Sequence, residues 1–168
     1  MDEMISAQDR VALLREGIVV LSEDTDGQWA QVCVTGEDEE RVREIVAARV
    51  GAAVEVRVCG ELPHELWRRR CRGYVARGPA TVGLRFEFFE SQHLDDVVIA
   101  EDENAVVMFA TIYSPVSSEG SGRQREVEVK VVLEQPLGGR ELFDAVAGEP
   151  IPRWNSIEEL RENWRARA

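Results

Sequence analysis

Apolar positions in this chain shift from a helical spacing to a strand spacing as the sequence proceeds, and the shifts mark out its elements. Val11 and Leu14 share one helical face. Ser6 caps ahead of them with Asp9 three residues on, and Gly17 suits a stop, so a first helix is predicted over 7–16. Strands are predicted at 18–21 and 29–35, separated by the acidic turn Ser22-Glu23-Asp24-Thr25-Asp26-Gly27. After Thr35 the run Glu37-Asp38-Glu39-Glu40 lies where a helix N-terminus favours negative charge. Val42, Ile45, Val46 and Val50 then recur at helical spacing until Gly51. Val54, Val56 and Val58 alternate with Glu55 and Arg57, the pattern of a strand with one wet face. Residues 18–59 therefore read β-β-α-β, a small sheet with a helix laid on one side.

Beyond Gly60 the strand spacing dominates. A short helix is predicted within 62–70, starting near Pro63, and strands at 82–89, 96–100, 106–113 and 127–134. Leu84, Phe86 and Phe88 alternate with Arg85 and Glu87, and Glu101-Asp102-Glu103-Asn104 reads as a hairpin turn. Residues 114–122 form a loop by composition, and the turn-rich stretch 136–152 reads as a last hairpin presenting Asp144. A final helix is expected over 157–165, where Ser156 and Glu159 make a capping box and Ile157, Leu160 and Trp164 line one side. The expected fold class is α+β: a small β-β-α-β lobe at 1–62, a basic connecting segment at 63–80, a mostly antiparallel β lobe at 81–152 and a C-terminal amphipathic helix at 153–168. A single continuous domain is the alternative.

With 168 residues, 44% of them hydrophobic, the chain can bury a real core, which excludes disorder throughout. No apolar run approaches the roughly 18 residues that cross a bilayer. The first residues are acidic where a secretory signal would be basic, so the expected location is the cytoplasm. Cys33, Cys59 and Cys71 are odd in number, widely spaced and free of any C-x-x-C. Three reduced thiols are expected, with Cys33 packing as a small hydrophobe, and no metal or cofactor.

Charge changes this picture most. The net charge is −12, yet it is sorted by position: residues 1–62 carry 14 acidic and 6 basic side chains, 63–80 carry 1 and 5, and 81–152 carry 14 and 5. A field of this sign disfavours nucleic acid and anionic membrane and favours a basic partner. Against it stands Trp67-Arg68-Arg69-Arg70-Cys71-Arg72-Gly73-Tyr74. Guanidinium groups bind phosphate or carboxylate bidentately, and the flanking aromatics can stack on bases or receive cations. The plainer reading is that these arginines neutralise the acidic flanks while Trp67 and Tyr74 are core.

Weaker constellations have equally plain alternatives. Glu90, His93 and Asp95 or Asp96 fit a divalent ion if their segment bends, but a polar link between two strands looks the same. Glu128-Val129-Lys130 after an earlier acid resembles the active-site pattern of the PD-(D/E)xK nucleases, which implies a metal-binding carboxylate and a lysine that activates water. No Pro-Asp precedes the first acid, and alternation of Val127, Val129 and Val131 with charged residues requires only a solvated strand face. The chain has no G-x-S-x-G, S-x-x-K, G-x-G-x-x-G or G-x-x-x-x-G-K.

The expected function is that of a non-catalytic interaction protein whose acidic surfaces hold a basic protein partner. Immunity proteins and nuclease inhibitors offer an analogy of charge and size alone. Arg68, Arg69, Arg70 and Arg72, with Trp67 and Tyr74, form a contrasting second contact. The alternative is a small enzyme or ligand-binding domain taking an anion at the arginines, which requires them to converge in a concave pocket. Self-association through the C-terminal helix is a third expectation.

Overall fold

The computed structural model describes residues 4–25, 30–51, 53–59, 66–115, 122–155, 161–162 and 165. It is a mixed α+β fold, mostly sheet. Helix α1 (Ala7–Arg15) starts at Ser6, whose hydroxyl accepts from Asp9 N at 3.1 Å. Strands β1 (Val19–Thr25) and β2 (Ala30–Thr35) form an antiparallel hairpin. Helix α2 (Glu39–Val50) then returns the chain so that β3 (Val54–Val58) lies parallel to β2. Parallel neighbours require such a crossover. Its cap is Asp38, which accepts from Arg41 N at 3.0 Å, and Gly51 ends it at φ 85, a conformation that favours glycine. Val42 and Val46 bury against Val32 and Val34, so the alternation in β2 and the helical spacing in α2 meet in one cluster.

The remaining strands build two larger sheets. One has the order β11-β10-β8-β4, with β7 also on β8; the other is β12-β5-β6-β9. Their ranges are β4 (Leu66–Arg68), β5 (Gly73–Gly78), β6 (Thr81–Phe89), β7 (His93–Glu101), β8 (Ala105–Tyr113), β9 (Gln124–Val132), β10 (Glu141–Asp144), β11 (Glu149–Pro150) and β12 (Arg153–Trp154). Val82, Leu84, Phe86 and Phe88 of β6 meet Val106, Met108, Ala110 and Ile112 of β8 in the main core. Ala105, Val107 and Phe109, on the other face of β8, lie under Val11 and Leu14 of α1. Burial on both faces is why β8 is an apolar run from Ala105 to Ile112 interrupted only by Thr111. Leu13 of the same helix belongs to the small-sheet cluster, so α1 contributes to both cores.

Several expectations are corrected. Residues 66–68 are a strand, not part of a helix. They fill the edge of β8 at Thr111–Tyr113, beyond the stretch Ala105–Met108 that β10 covers. Residues 62–65 lie outside the described residues. The β10–β11 hairpin forms, but Asp144 is buried rather than presented. Within the segment expected to be a terminal helix, Arg153 and Trp154 pair instead with Tyr74 and Val75 in a parallel strand. The predicted helix itself falls mostly outside the described residues. Trp154 packs across Gly73, where any Cβ would come within 1.5 Å of the indole nitrogen, so only glycine admits the ring.

The cysteines are the clearest correction. Cys33 and Cys59 form a disulfide, leaving Cys71 as the free thiol. Cys33 points away from Val32 and Val34 and so off the core; the parallel register pairs it with Arg57, which sets Cys59, two residues on, diagonally across from it, with Cys59 N donating to Val34 O at 2.8 Å. Chain spacing alone cannot show this, because the two residues meet only once α2 has carried β3 back alongside β2. No helix among the described residues is long and apolar enough to cross a membrane.

Alkylation of the denatured protein without reductant is expected to label one thiol, and with reductant three. Loop closure over 26 residues sets the expected loss for a Cys33→Ser/Cys59→Ser variant at roughly 3.5 kcal/mol. Three labelled thiols before reduction, or a variant as stable as the parent in urea, would refute the pairing. Disulfides persist in oxidising surroundings, so the same count on protein taken from its native cells reports its compartment.

Candidate functional site

The arginine-rich segment is the passage from one large sheet to the other. Its backbone is pinned on the way: Arg69 N donates to Ala110 O of β8 at 2.9 Å, Cys71 N to the Asp144 carboxylate at 2.8 Å, and Arg72 N to Arg85 O of β6 at 2.7 Å. These anchors sort the side chains. Arg68 turns to a cleft of about 510 Å³ beside the small sheet, where it pairs with Glu37 and lies 5.6 Å from the Phe109 ring centroid. Trp67, 49% exposed, lines that same cleft. Tyr74 is buried in the main core and donates its backbone N–H to Pro152 O.

Arg69, Arg70 and Arg72 converge elsewhere, on a cleft of about 250 Å³ also lined by Glu87, Phe88, Phe89 and Gln124. Arg72 donates to Glu87 at 2.9 Å, and Arg70 pairs with Glu149 of β11. Arg69 differs from both. Its Nη2 reaches only the amide oxygen of Gln92, at 3.4 Å, and its Nε is buried with no partner among the described residues. Burial, and then the like charge of Arg72, hold its pKa below the ordinary arginine value, with Glu87 acting the other way.

Gln92 organises this end of the molecule and was not legible from the sequence. Buried, it accepts from Phe89 N at 3.0 Å and donates to Ser114 Oγ at 3.1 Å, and its backbone oxygen accepts from Arg125 at 3.0 Å. Arg125 in turn lies 5.1 Å from the Phe88 ring centroid, adding a further guanidinium near the cleft. Glu87 and Glu149 were equally missed as partners; the charged alternation along β6 was a signal for Glu87, and Glu149 on β11 had none.

Below the arginine segment, Asp144 accepts three backbone N–H groups: Cys71 at 2.8 Å, Val146 at 2.8 Å and Ala147 at 3.3 Å. Burial nevertheless raises its pKa above the usual aspartate value, against these bonds and Arg70. Burial also pushes the neighbouring Cys71 thiol up to about 12, so it stays protonated and unreactive at neutral pH.

A second charged cleft, of about 520 Å³, lies near the start of β8, where among the described residues Glu101, Asp102, Glu103 and Glu134 line it with one cation, Arg140. Arg140 is engaged through both Nη atoms, which donate to Glu101 at 2.9 Å and to the backbone oxygens of Asp102, Gln135 and Pro136, while its Nε is buried with no partner among the described residues. Asp102 accepts from Asn104 N and Ala105 N, both at 2.8 Å, which builds the expected β7–β8 turn.

The weaker constellations come apart. His93 stacks on Tyr113, Asp95 accepts from Thr111 Oγ1 at 3.0 Å and Asp96 from Val97 N at 2.8 Å. Among the described residues no group of three or more His, Cys, Asp or Glu is placed to hold a metal. Glu128 is gripped bidentately by Arg77, at 2.7 Å for each contact, and by Arg85 at 2.6 Å, which holds its pKa below the usual glutamate value. Its carboxylate is committed to an ion-pair network on the sheet face.

Asp144→Ala strands three backbone donors and is expected to cost about 2–4 kcal/mol of stability. The titration has a definite sign: a carboxyl whose folded-state pKa is raised contributes stability that is full below its unfolded value and is lost as pH rises through the folded one. Denaturation of the parent and Asp144→Asn from about pH 3 to pH 7 tests this. The parent's relative stability should fall with rising pH, and a constant gap would refute the assignment.

No protein-family model matches the chain, and comparison with curated proteins and with solved structures gave no match.

Proposed function

We propose that this chain is a non-catalytic interaction protein that holds a basic protein partner on its acidic surface, with the cleft at Glu101, Asp102, Glu103 and Glu134 as the contact. The observation that carries this reading is the state of Arg140. Arg140, the one lining cation among the described residues, already gives its Nη atoms to Glu101 and three backbone oxygens, so the other carboxylates keep their charge for an incoming group. A cleft of about 520 Å³ has room for lysine or arginine side chains of a docking surface. The net charge of −12 extends the same attraction outward and speeds encounter with a basic body.

Contacts of this kind weaken with salt, because exposed charges are screened over about 8 Å at physiological ionic strength. Capture on the tagged protein from its own cell extract at low salt is expected to recover one stoichiometric basic protein that a high-salt wash releases. A Glu103→Gln/Glu134→Gln variant should hold that protein roughly tenfold more weakly. Retention through the high-salt wash, or equal binding to the variant, would sink the reading.

A further inference from the structure

We propose that the cleft formed by Arg69, Arg70 and Arg72 is a binding site for a small phosphorylated ligand, whose phosphoryl group the guanidinium groups grip. The site lies apart from the acidic cleft and does not depend on its role.

Charge balance is the first support. Three guanidinium groups share about 250 Å³ with Glu87, the one lining carboxylate among the described residues, and Arg125 stands close by over Phe88. Neutralisation of the acidic flanks accounts for Arg68, Arg70 and Arg72, each of which has a carboxylate partner. It does not account for Arg69. Among the described residues Arg69 has no carboxylate partner, only a long contact to the neutral amide of Gln92. A partly buried cation beside a like charge is unfavourable, and Glu87, which makes no bond to Arg69, offsets this only in part, so an added anion is favoured. The lowered pKa of Arg69 is the same fact in another form.

Rigidity is the second support. The backbone of 69–72 is fixed to β8, to Asp144 and to β6, and Gln92, which meets Arg69, is itself held by Phe89 N and Ser114. The guanidinium groups thus project from an anchored frame, and less side-chain order has to be bought on binding. Phe88 and Phe89 supply an apolar wall, against which charge-assisted hydrogen bonds strengthen.

Chemistry and size select the ligand. Glu87 and Glu149 already offer one carboxylate each, so a ligand that adds to or displaces them must carry more charge and more acceptors. A phosphate monoester carries about −1.5 to −2 charge and three acceptor oxygens, and the arginine fork matches it bidentately. The volume, about 250 Å³, lies below the roughly 300–1,000 Å³ of pockets for drug-sized ligands, so the organic part is small.

The test is titration calorimetry with inorganic phosphate and with glycerol phosphate, using acetate at matched ionic strength as the control anion. One-site binding of both phosphates, tighter than acetate, is expected. Arg69→Gln should weaken it roughly tenfold or more. Arg72→Gln should act likewise; its side chain is half exposed, so this variant serves if Arg69→Gln fails to fold. Arg77→Gln, on β5 and paired with Glu128 outside the cleft, should bind as the parent does. Absence of phosphate binding, equal binding of acetate, or parent-like affinity in both Arg69→Gln and Arg72→Gln would overturn the proposal. Tighter binding of a single-stranded oligonucleotide at the same arginines would replace the small ligand with nucleic acid.

Discussion

Burial of β8 on both faces is the constraint from which the rest of this molecule follows. One face carries Val106, Met108, Ala110 and Ile112 into the sheet-on-sheet core, and the other carries Ala105, Val107 and Phe109 beneath α1. A strand in that position must satisfy its backbone through its edges. It does so with β7 along one edge and with β10 and β4 in succession along the other. The division of that second edge has a structural result. β4 belongs to the β8 sheet and β5 to its partner, so the chain must cross between sheets over residues 69–72, and the arginines lie on that crossing.

The same frame separates charge. The acidic cleft sits where β7 turns into β8, near the start of β8, whereas Phe88, Phe89 and Gln124 of the arginine cleft lie at the end of β6 and the beginning of β9, toward the other end. Arg69 is pinned at Ala110, five residues beyond Ala105, which at about 3.4 Å per residue sets the two clefts roughly 17 Å apart along the strand. That is about twice the screening length of about 8 Å, so the acidic cleft is largely screened from the arginines, and each cleft meets its surroundings as a local charge.

Features set by neighbours in sequence were legible before the structure. Ser6 with Asp9, the acids ahead of α2, the stop at Gly51, the alternation of β6 and the Glu101–Asn104 turn are all local relations, and all are present. Features set by tertiary placement were not. Leu66–Arg68 has no strand pattern of its own and becomes one because an edge of β8 is open to it. Cys33 and Cys59 meet through a parallel register that exists only after α2 has folded back. At the candidate site the sequence showed an arginine cluster but not its division. Arg68 parts from the other three because of where the backbone is pinned, and Gln92 enters through a bend that no periodicity announces.

The separation of the two clefts along β8 also places charge of opposite sign at two sites on a net anion. A charged body approaching from bulk solvent exerts a torque on such a molecule before any side chain touches it. A cationic surface turns the Glu101–Glu134 end toward itself, and an anion turns the Arg69–Arg72 end. Contact pairs inside a cleft are partly shielded from added electrolyte, whereas a torque acting over tens of ångströms is not. Rising ionic strength therefore abolishes orientation first and adhesion second, and the rate of productive encounter is more sensitive to salt than the lifetime of what has formed.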